Sequence, residues 1–328
     1  MTDQPVQAGL DAPAYLDFLD HEYLVSYVGR GGAAVKLLVP EDEFAAEGLA
    51  KGLDAVGDGF QHAVVSAVGT RIHLIDQIFA EVARQLDWLA LAQAVVHSAF
   101  DQAGFPPADP ADLSVAVVAR QHDVDSAELY RSVRRSVEQI VLKDSDLSHE
   151  FRMAMLRLCQ SRLGRGDVSR AECDTVIGWL RGEKVPAAEL RKLSLQAKVS
   201  RYNARALLLS LTRWVRLAGY GGLVLRLDLS RLAVSRRPPA GLRDGHYYSK
   251  AAVLDAYELL RQLIDGTDEF EGLFVAAVIP PELVHDEVRG LPAYTALRLR
   301  VVDEVRDRAR VNPYSTLVRI GAGGEEAL

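Results

Sequence analysis

The stretch Val35-Lys36-Leu37-Leu38-Val39-Pro40-Glu41-Asp42-Glu43-Phe44-Ala45-Ala46-Glu47 decides the fold of this chain. Residues 35–39 are mostly apolar and predict a short buried strand, and residues 41–55 predict a helix directly after it. Beyond two glycines, residues 61–68 predict a second strand. A strand, a helix and a strand at this spacing form a βαβ unit, so we expect the two strands to lie parallel with a right-handed crossover.

The rest of the chain predicts a parallel α/β sheet that is interrupted by a large helical insertion. Further strands are expected at residues 222–228, 273–279 and 315–320. Helices are expected at residues 14–28, 75–88, 91–102, 111–121, 125–142, 146–162, 169–181, 187–195, 200–218, 249–264 and 293–308. We therefore divide the chain into residues 1–70 as the first half of an α/β core, residues 71–219 as the mainly helical insertion, and residues 220–328 as the second half of the core.

The composition is that of an ordinary globular protein. Of the 328 residues, 49% are hydrophobic and 25% are charged, which is enough apolar material for a sizeable core. The net charge of −7 argues against a nucleic-acid-binding surface that covers the whole chain. The sequence contains neither a secretory signal pattern nor an apolar run of the about 20 residues that span a membrane. We expect a cytoplasmic protein in which Cys159 and Cys173 are buried or idle thiols.

The position directly after the first strand is where a P-loop ATPase binds its phosphates. That loop has the pattern G-x-x-x-x-G-K-[ST], in which backbone N–H groups and the lysine contact the phosphates and the hydroxyl holds Mg²⁺. This chain has neither that lysine nor that hydroxyl; the vestigial positions are Pro40, Glu41, Asp42, Glu43 and Glu47. Carboxylates suit the N-terminus of a helix but repel a triphosphate. The layout indicates an ATPase ancestor, and the residues predict that the phosphate site has been lost.

A working P-loop ATPase also needs an acidic pair, Asp-Glu, at the end of another strand. The aspartate holds Mg²⁺ and the glutamate orients the attacking water. Here the strand at residues 222–228 ends in Asp228, and Leu229 stands in the place of the glutamate. Taken alone, an aspartate at a strand end is usually a turn or cap residue. Because both motifs are degraded, we predict no catalytic residue and no ATP hydrolysis.

Several blocks of the sequence resemble one protein family. The most specific are Trp179-Leu180-Arg181-Gly182-Glu183, Tyr202-Asn203-Ala204 and residues 217–228; further matches are residues 31–36, 257–266, 272–274, 281–283, 289–291 and 294–297. These blocks resemble the ATP-binding proteins of BREX-type phage-defence systems, which are AAA+-like P-loop proteins of bacteria. The resemblance implies a P-loop NTPase (AAA+/ASCE-like) fold and a role in antiviral defence. It does not carry ATPase activity over to this chain, since the family's glycine-rich loop and acidic pair are missing.

Two groups of arginines are candidates for contacts with anions. Arg298 and Arg300 stand where AAA+-like proteins often place an arginine that reaches a neighbour's nucleotide, which an inactive protomer can still supply. The mixed charges around them favour an ordinary solvated helix face, and the role in trans is the second interpretation. Arg236, Arg237 and Arg243 have the charge to contact phosphates. Aromatic residues do not interleave this stretch, so DNA binding is not indicated.

These observations support three functional hypotheses. The first is a catalytically inactive AAA+-like scaffold or regulatory subunit of a BREX-like system, a pseudo-ATPase without cofactor or metal. Its partners would be other defence-system proteins, in a homo- or hetero-oligomer. The second is an ATP-binding protein with a non-standard phosphate loop, which uses Mg²⁺, Asp228, a lysine such as Lys36 or Lys51, and an arginine from a neighbour. The third is a DNA-binding adaptor built on the basic loop at residues 235–245.

Overall fold

The computed structural model describes residues 10–109, 112–164, 166–242, 244–301 and 312–321. These residues form two compact units. One contains the described residues up to Ile78 and from Gly221 onward, and the other runs from Phe79 to Tyr220. The first unit contains every described strand, and the second is helical.

Six strands of the described chain form one parallel sheet. They are β1 Leu10–Asp11, β2 Ala33–Pro40, β3 Gln61–Ser66, β4 Leu223–Asp228, β5 Leu273–Val278 and β6 Leu317–Gly321. Their order across the sheet is β1-β6-β2-β5-β4-β3, and each pairing is parallel. Counted from β2, the order is 5-1-4-3-2, so β5 lies between the strand of the phosphate-loop position and the strand of the acidic motif. That arrangement is the one of ASCE-type P-loop NTPases, and the predicted fold class is confirmed.

Helices connect the strands and build the second unit. In chain order they are α1 Ala12–Phe18, α2 Glu43–Leu53, α3 Ile75–Gln85, α4 Trp88–Gln102, α5 Val115–Gln121, α6 Ser126–Leu142, α7 His149–Arg162, α8 Arg170–Leu180, α9 Ala187–Lys192, α10 Ala204–Leu217, α11 Lys250–Asp265, α12 Glu282–His285 and α13 Thr295–Val301. The last helix expected from the sequence continues to residue 308, but residues 302–308 lie outside the described residues. None of these described helices combines the length and the apolar character that a bilayer-spanning segment requires.

The N-terminal segment is not the single α-helix expected at residues 14–28. After α1, the chain continues as a π-helix, Leu19–Val25, and a 3-10 turn, Val28–Arg30. In a π-helix, residues five apart lie on the same face, and Leu19 and Leu24 are both fully buried. A regular α-helix would place these two leucines on different faces, so packing against the core favours the wider turn.

Burial of the central strands determines where a ligand site lies. Residues 37–39 of β2 are inaccessible to solvent, and all of β5 except Val278 is buried. Leu38, Phe274 and Val318 belong to one apolar cluster that α2 and the N-terminal segment cover. The faces of the sheet are therefore packed, and in such parallel sheets ligands bind beyond the carboxyl ends of the strands.

Three tryptophans anchor the helical unit. Trp88, Trp179 and Trp214 are at most 1% exposed, so all three lie in the core of this unit. The ring of Phe151 lies 6.1 Å from the ring of Trp88 and 6.3 Å from that of Trp214, in edge-on geometry. Such aromatic pairs bury large apolar areas and hold neighbouring helices in register.

Candidate nucleotide site at the carboxyl edge of the sheet

The connection from β2 to α2 contains only two residues, Glu41 and Asp42. The backbone N–H of Glu41 donates to the carbonyl of Ile320 at 2.8 Å. Oδ1 of Asp42 accepts from the backbone N–H of Ala45 at 2.7 Å and caps the helix. A phosphate loop places four residues between its glycines and leaves its N–H groups to the phosphates. This connection is too short for such a loop. In addition, the carboxylate of Asp42 already accepts the hydrogen bond of an N–H group at the start of α2.

The charges beside this connection also oppose an anionic ligand. Glu43 and Glu47 are exposed on the first turns of α2, and Phe44 between them is 79% exposed. A cation is nearby: Nη1 of Arg319 lies 3.7 Å from a buried carboxylate oxygen of Glu41. A second nitrogen of Arg319 donates to Nε2 of His285 at 3.0 Å. The guanidinium therefore already faces groups of the protein.

The Asp228 carboxylate is held by its own neighbours. Its Oδ2 accepts from the hydroxyl of Ser66 at 2.8 Å, and its Oδ1 accepts from the backbone N–H of Ser230 at 3.0 Å. The side chain of Leu229 is 1% exposed, and its N–H donates to the carbonyl of Val278 at 2.9 Å. The aspartate thus closes a turn, and the leucine that follows it packs in the core. Sequence reasoning missed Ser66, although its position near the end of the strand predicted at residues 61–68 was a usable signal.

Neither lysine of the ATP-binding hypothesis lies at this edge. The side chain of Lys36 is buried, and its Nζ donates to the carbonyls of Tyr314 at 2.6 Å and Ser315 at 2.8 Å. The same nitrogen lies 4.3 Å from the ring centre of Tyr23. Lys51 is exposed in the last turn of α2, about 12 Å along the helix from Glu43 at 1.5 Å per residue. Both ammonium groups are placed away from the position of a phosphate loop.

The two candidate arginines of α13 differ in their surroundings. Nε of Arg300 donates to Asp265 at 2.6 Å, and Arg261 on α11 bonds the same carboxylate. Arg261 also pairs with Glu258 at 2.7 Å. The pKa of Glu258 is lowered to about 2. The main cause is its hydrogen bond from Arg261, and the next is its hydrogen bond from the hydroxyl of Tyr294. Arg300 is therefore part of an intramolecular network.

Arg298 has an exposed side chain on the same helix. Of the three arginines predicted to contact phosphates, Arg236 and Arg237 have exposed side chains. The third, Arg243, lies outside the described residues. Two neighbouring arginines have protein partners. Arg226 forms two hydrogen bonds with Asp54, at 2.9 and 3.0 Å, and Arg231 bonds Asp244 and the carbonyl of His246.

The residues at the edge do not fit ATP and Mg²⁺. A nucleotide site needs N–H donors and cations for the phosphates and a carboxylate open to the metal. Asp42 caps its own helix, Asp228 accepts from two protein donors, and Lys36 bonds two carbonyls. Among the residues that the structure describes, no group of three or more His, Cys, Asp or Glu side chains is placed to hold a metal ion.

Comparison with known proteins gives one match. The model of the family described as BREX system ATP-binding protein BrxC/D matches residues 111–322. The chain belongs to this family. The match covers β4, β5 and β6 and most of the helical unit, and it leaves out β2, α2 and β3. No curated protein and no solved structure matches the chain.

Membership in the BrxC/D family confirms the resemblance found in the sequence and makes the chain a component of a phage-defence system. The blocks at residues 179–183 and 217–228 lie within the matched range, whereas residues 40–47 lie before it. The family therefore identifies the setting of the protein. The match does not extend to residues 40–47, so the chemistry there depends on this chain's own residues.

Proposed function

We propose that this chain is a catalytically inactive, AAA+-like scaffold or regulatory subunit of a BREX-type phage-defence system. The observation that carries the proposal is the two-residue β2–α2 connection, in which Asp42 takes the place of a phosphate and caps α2. The fold survives this loss because phosphate-binding chemistry belongs to a loop on the scaffold, and the packed sheet does not depend on it.

The test is calorimetric titration of ATP and ADP into the purified chain, with and without Mg²⁺. We expect no heat of binding and no shift of the melting temperature at millimolar nucleotide. Micromolar, Mg²⁺-dependent binding would contradict the proposal. An active member of the same family, titrated in the same buffer, shows that the assay detects a working site.

A scaffold needs a surface for its partner, and Phe44 supports one at the former phosphate position. This side chain is 79% exposed, and Glu43 and Glu47 flank it. An exposed aromatic anchor with a charged rim is typical of a protein-binding hot spot. The partner would be a defence-system protein with a basic surface around an apolar pocket. We expect Phe44→Ser to remove this chain from the assembly purified through another subunit, whereas Phe44→Trp retains it.

A regulatory role in trans would use Arg298. Its side chain is exposed, whereas Arg300 bonds Asp265 within the chain. In a complex with an active ATPase of the same system, we expect Arg298→Ala to lower the partner's kcat. An arginine finger contributes about 10³-fold or more to kcat. Arg237→Ala is the matched control, because it removes another exposed arginine; an equal loss in both variants would exclude a specific role for Arg298.

A further inference from the structure

The helical unit contains a long stretch without carboxylates. Residues 190–220 include seven lysines and arginines and no aspartate or glutamate, in a chain with 45 acidic residues and a net charge of −7. The seven are Arg191, Lys192, Lys198, Arg201, Arg205, Arg213 and Arg216. Arg213 pairs with Asp144 at 2.9 Å, and Lys192 pairs with Glu189 at the same distance. This stretch is therefore positively charged, although the chain as a whole has a negative net charge.

A rigid turn presents part of this charge. Nε1 of the buried Trp179 donates to the carbonyl of Ala197 at 2.8 Å. Oδ1 of Asn203 accepts from the backbone N–H of Ser200 at 2.8 Å, and Nδ2 of Asn203 donates to the carbonyl of Lys198 at 3.1 Å. α10, which begins directly after Asn203, is anchored by the fully buried Trp214. Residues 198–203 are thus fixed at both ends by side-chain hydrogen bonds and core packing.

The turn exposes an aromatic ring at its tip. Tyr202 is 84% exposed, the largest exposed fraction among the large hydrophobic side chains of the described residues. Nη2 of Arg201 donates to its hydroxyl at 2.9 Å, and the guanidinium carbon lies 5.0 Å from the ring centre. The arginine therefore orients the ring while most of the ring surface stays open to solvent. Tyrosine has few rotatable bonds, so little further entropy is lost when a ligand binds it.

We infer that Lys198, Arg201 and Tyr202, here called the Tyr202 surface, bind single-stranded nucleic acid. The cations contact phosphates. Such contacts need positive charge and do not depend on the base sequence. One base stacks on Tyr202, and a stacked base must be unpaired, which selects a single strand. The inference goes beyond the proposed scaffold function. It does not depend on ATP, since these residues belong to the helical unit and the former phosphate position belongs to the α/β unit.

The test is fluorescence anisotropy of labelled oligothymidylate, titrated at low salt with the full chain and its variants. We expect wild type to bind and Tyr202→Ala to weaken binding about 5- to 150-fold, the loss of one base stack. Tyr202→Phe keeps the ring and retains the affinity within a few-fold. Lys198→Ala lowers the slope of log K against log salt by about 0.7, the value of one phosphate contact on a single strand.

The control is the double variant Arg30→Ala, Lys250→Ala, which removes two exposed cations from the α/β unit and is expected to bind like wild type. Melting temperatures establish that each variant is folded, and at 84% exposure Tyr202 contributes little to the core. Absence of binding by wild type, or wild-type affinity of Tyr202→Ala, would overturn the inference. So would duplex DNA that binds as tightly as the single strand. A parallel titration with oligouridylate distinguishes RNA from DNA as the source of the strand.

Discussion

The hydroxyl of Ser66 donates to the carboxylate of Asp228 at 2.8 Å and joins the last residues of β3 and β4, which are register partners in the sheet. This bond gives the aspartate at the end of β4 a structural role. We expect Asp228→Ala to lower the free energy of unfolding by about 1–3 kcal/mol, since it also leaves the N–H of Ser230 without its acceptor.

A double-mutant cycle with Ser66→Ala, measured by urea denaturation, isolates the pair. We expect a coupling energy of about 0.5–1.5 kcal/mol between the two residues. Independent, additive effects would show that the bond contributes nothing to stability. ATP affinity is expected to be absent in all four proteins of the cycle.

Asp42 is expected to stabilise α2 as its N-cap. Its carboxylate accepts the hydrogen bond of Ala45 at 2.7 Å, and loss of such a cap costs about 1 kcal/mol. We expect Asp42→Ala to lower stability by this amount and Asp42→Ser to retain most of it, because serine is also a good cap. Thermal denaturation compares the two variants; equal losses would mean that the capping bond is not formed in solution.

Lys36 is expected to hold the approach to β6 by bonding the carbonyls of Tyr314 and Ser315. In Lys36→Met the chain keeps a long apolar side chain but leaves two carbonyls without this donor. We expect a loss of about 1.5–3 kcal/mol, since the lost hydrogen bonds come from a charged ammonium group. Lys51→Met is the matched control, since Lys51 is exposed and such changes stay within about 0.5 kcal/mol. Urea denaturation that gave both variants the same midpoint would contradict the role of Lys36.

Stability is expected to fall in acid partly through Glu258. Hydrogen bonds from Arg261 and Tyr294 lower the pKa of Glu258 in the folded chain to about 2, whereas an unfolded glutamate has a pKa of about 4.3. The charged carboxylate of Glu258 therefore stabilises the folded state relative to the unfolded chain. Its contribution is fully present above about pH 4.3 and is lost as the pH falls towards about 2.

Glu258→Gln removes this titration. We expect the difference in unfolding free energy between wild type and the variant to be constant near neutral pH and to shrink as the solution is acidified below the unfolded pKa. A difference that does not change with pH would show that the Arg261 network does not favour the charged carboxylate. Gln262→Ala is a useful comparison, because Gln262 also donates to Glu258 but carries no charge.

The sequence by itself determined the fold class and showed that residues 40–47 lack the pattern of a phosphate loop. Apolar runs of strand length alternating with helical periodicity are local patterns, and they require a parallel sheet once the connections contain helices. The absence of lysine and hydroxyl after β2 is likewise visible in the chain alone. The β2–α2 boundary was predictable to two residues, since Asp42 is a residue type that starts helices.

Only the tertiary structure decided what the remaining side chains do. Ser66 and Asp228 are 162 positions apart, and Lys36 and Tyr314 are 278 apart. Such pairs depend on strand register and on how loops return to the sheet, which local periodicity does not specify. The π-helix at Leu19–Val25 has the same origin, since burial of two leucines selects it over a regular helix. Exposure of Tyr202 is also a tertiary result, because a tyrosine among leucines and arginines in sequence is equally compatible with a place in the core.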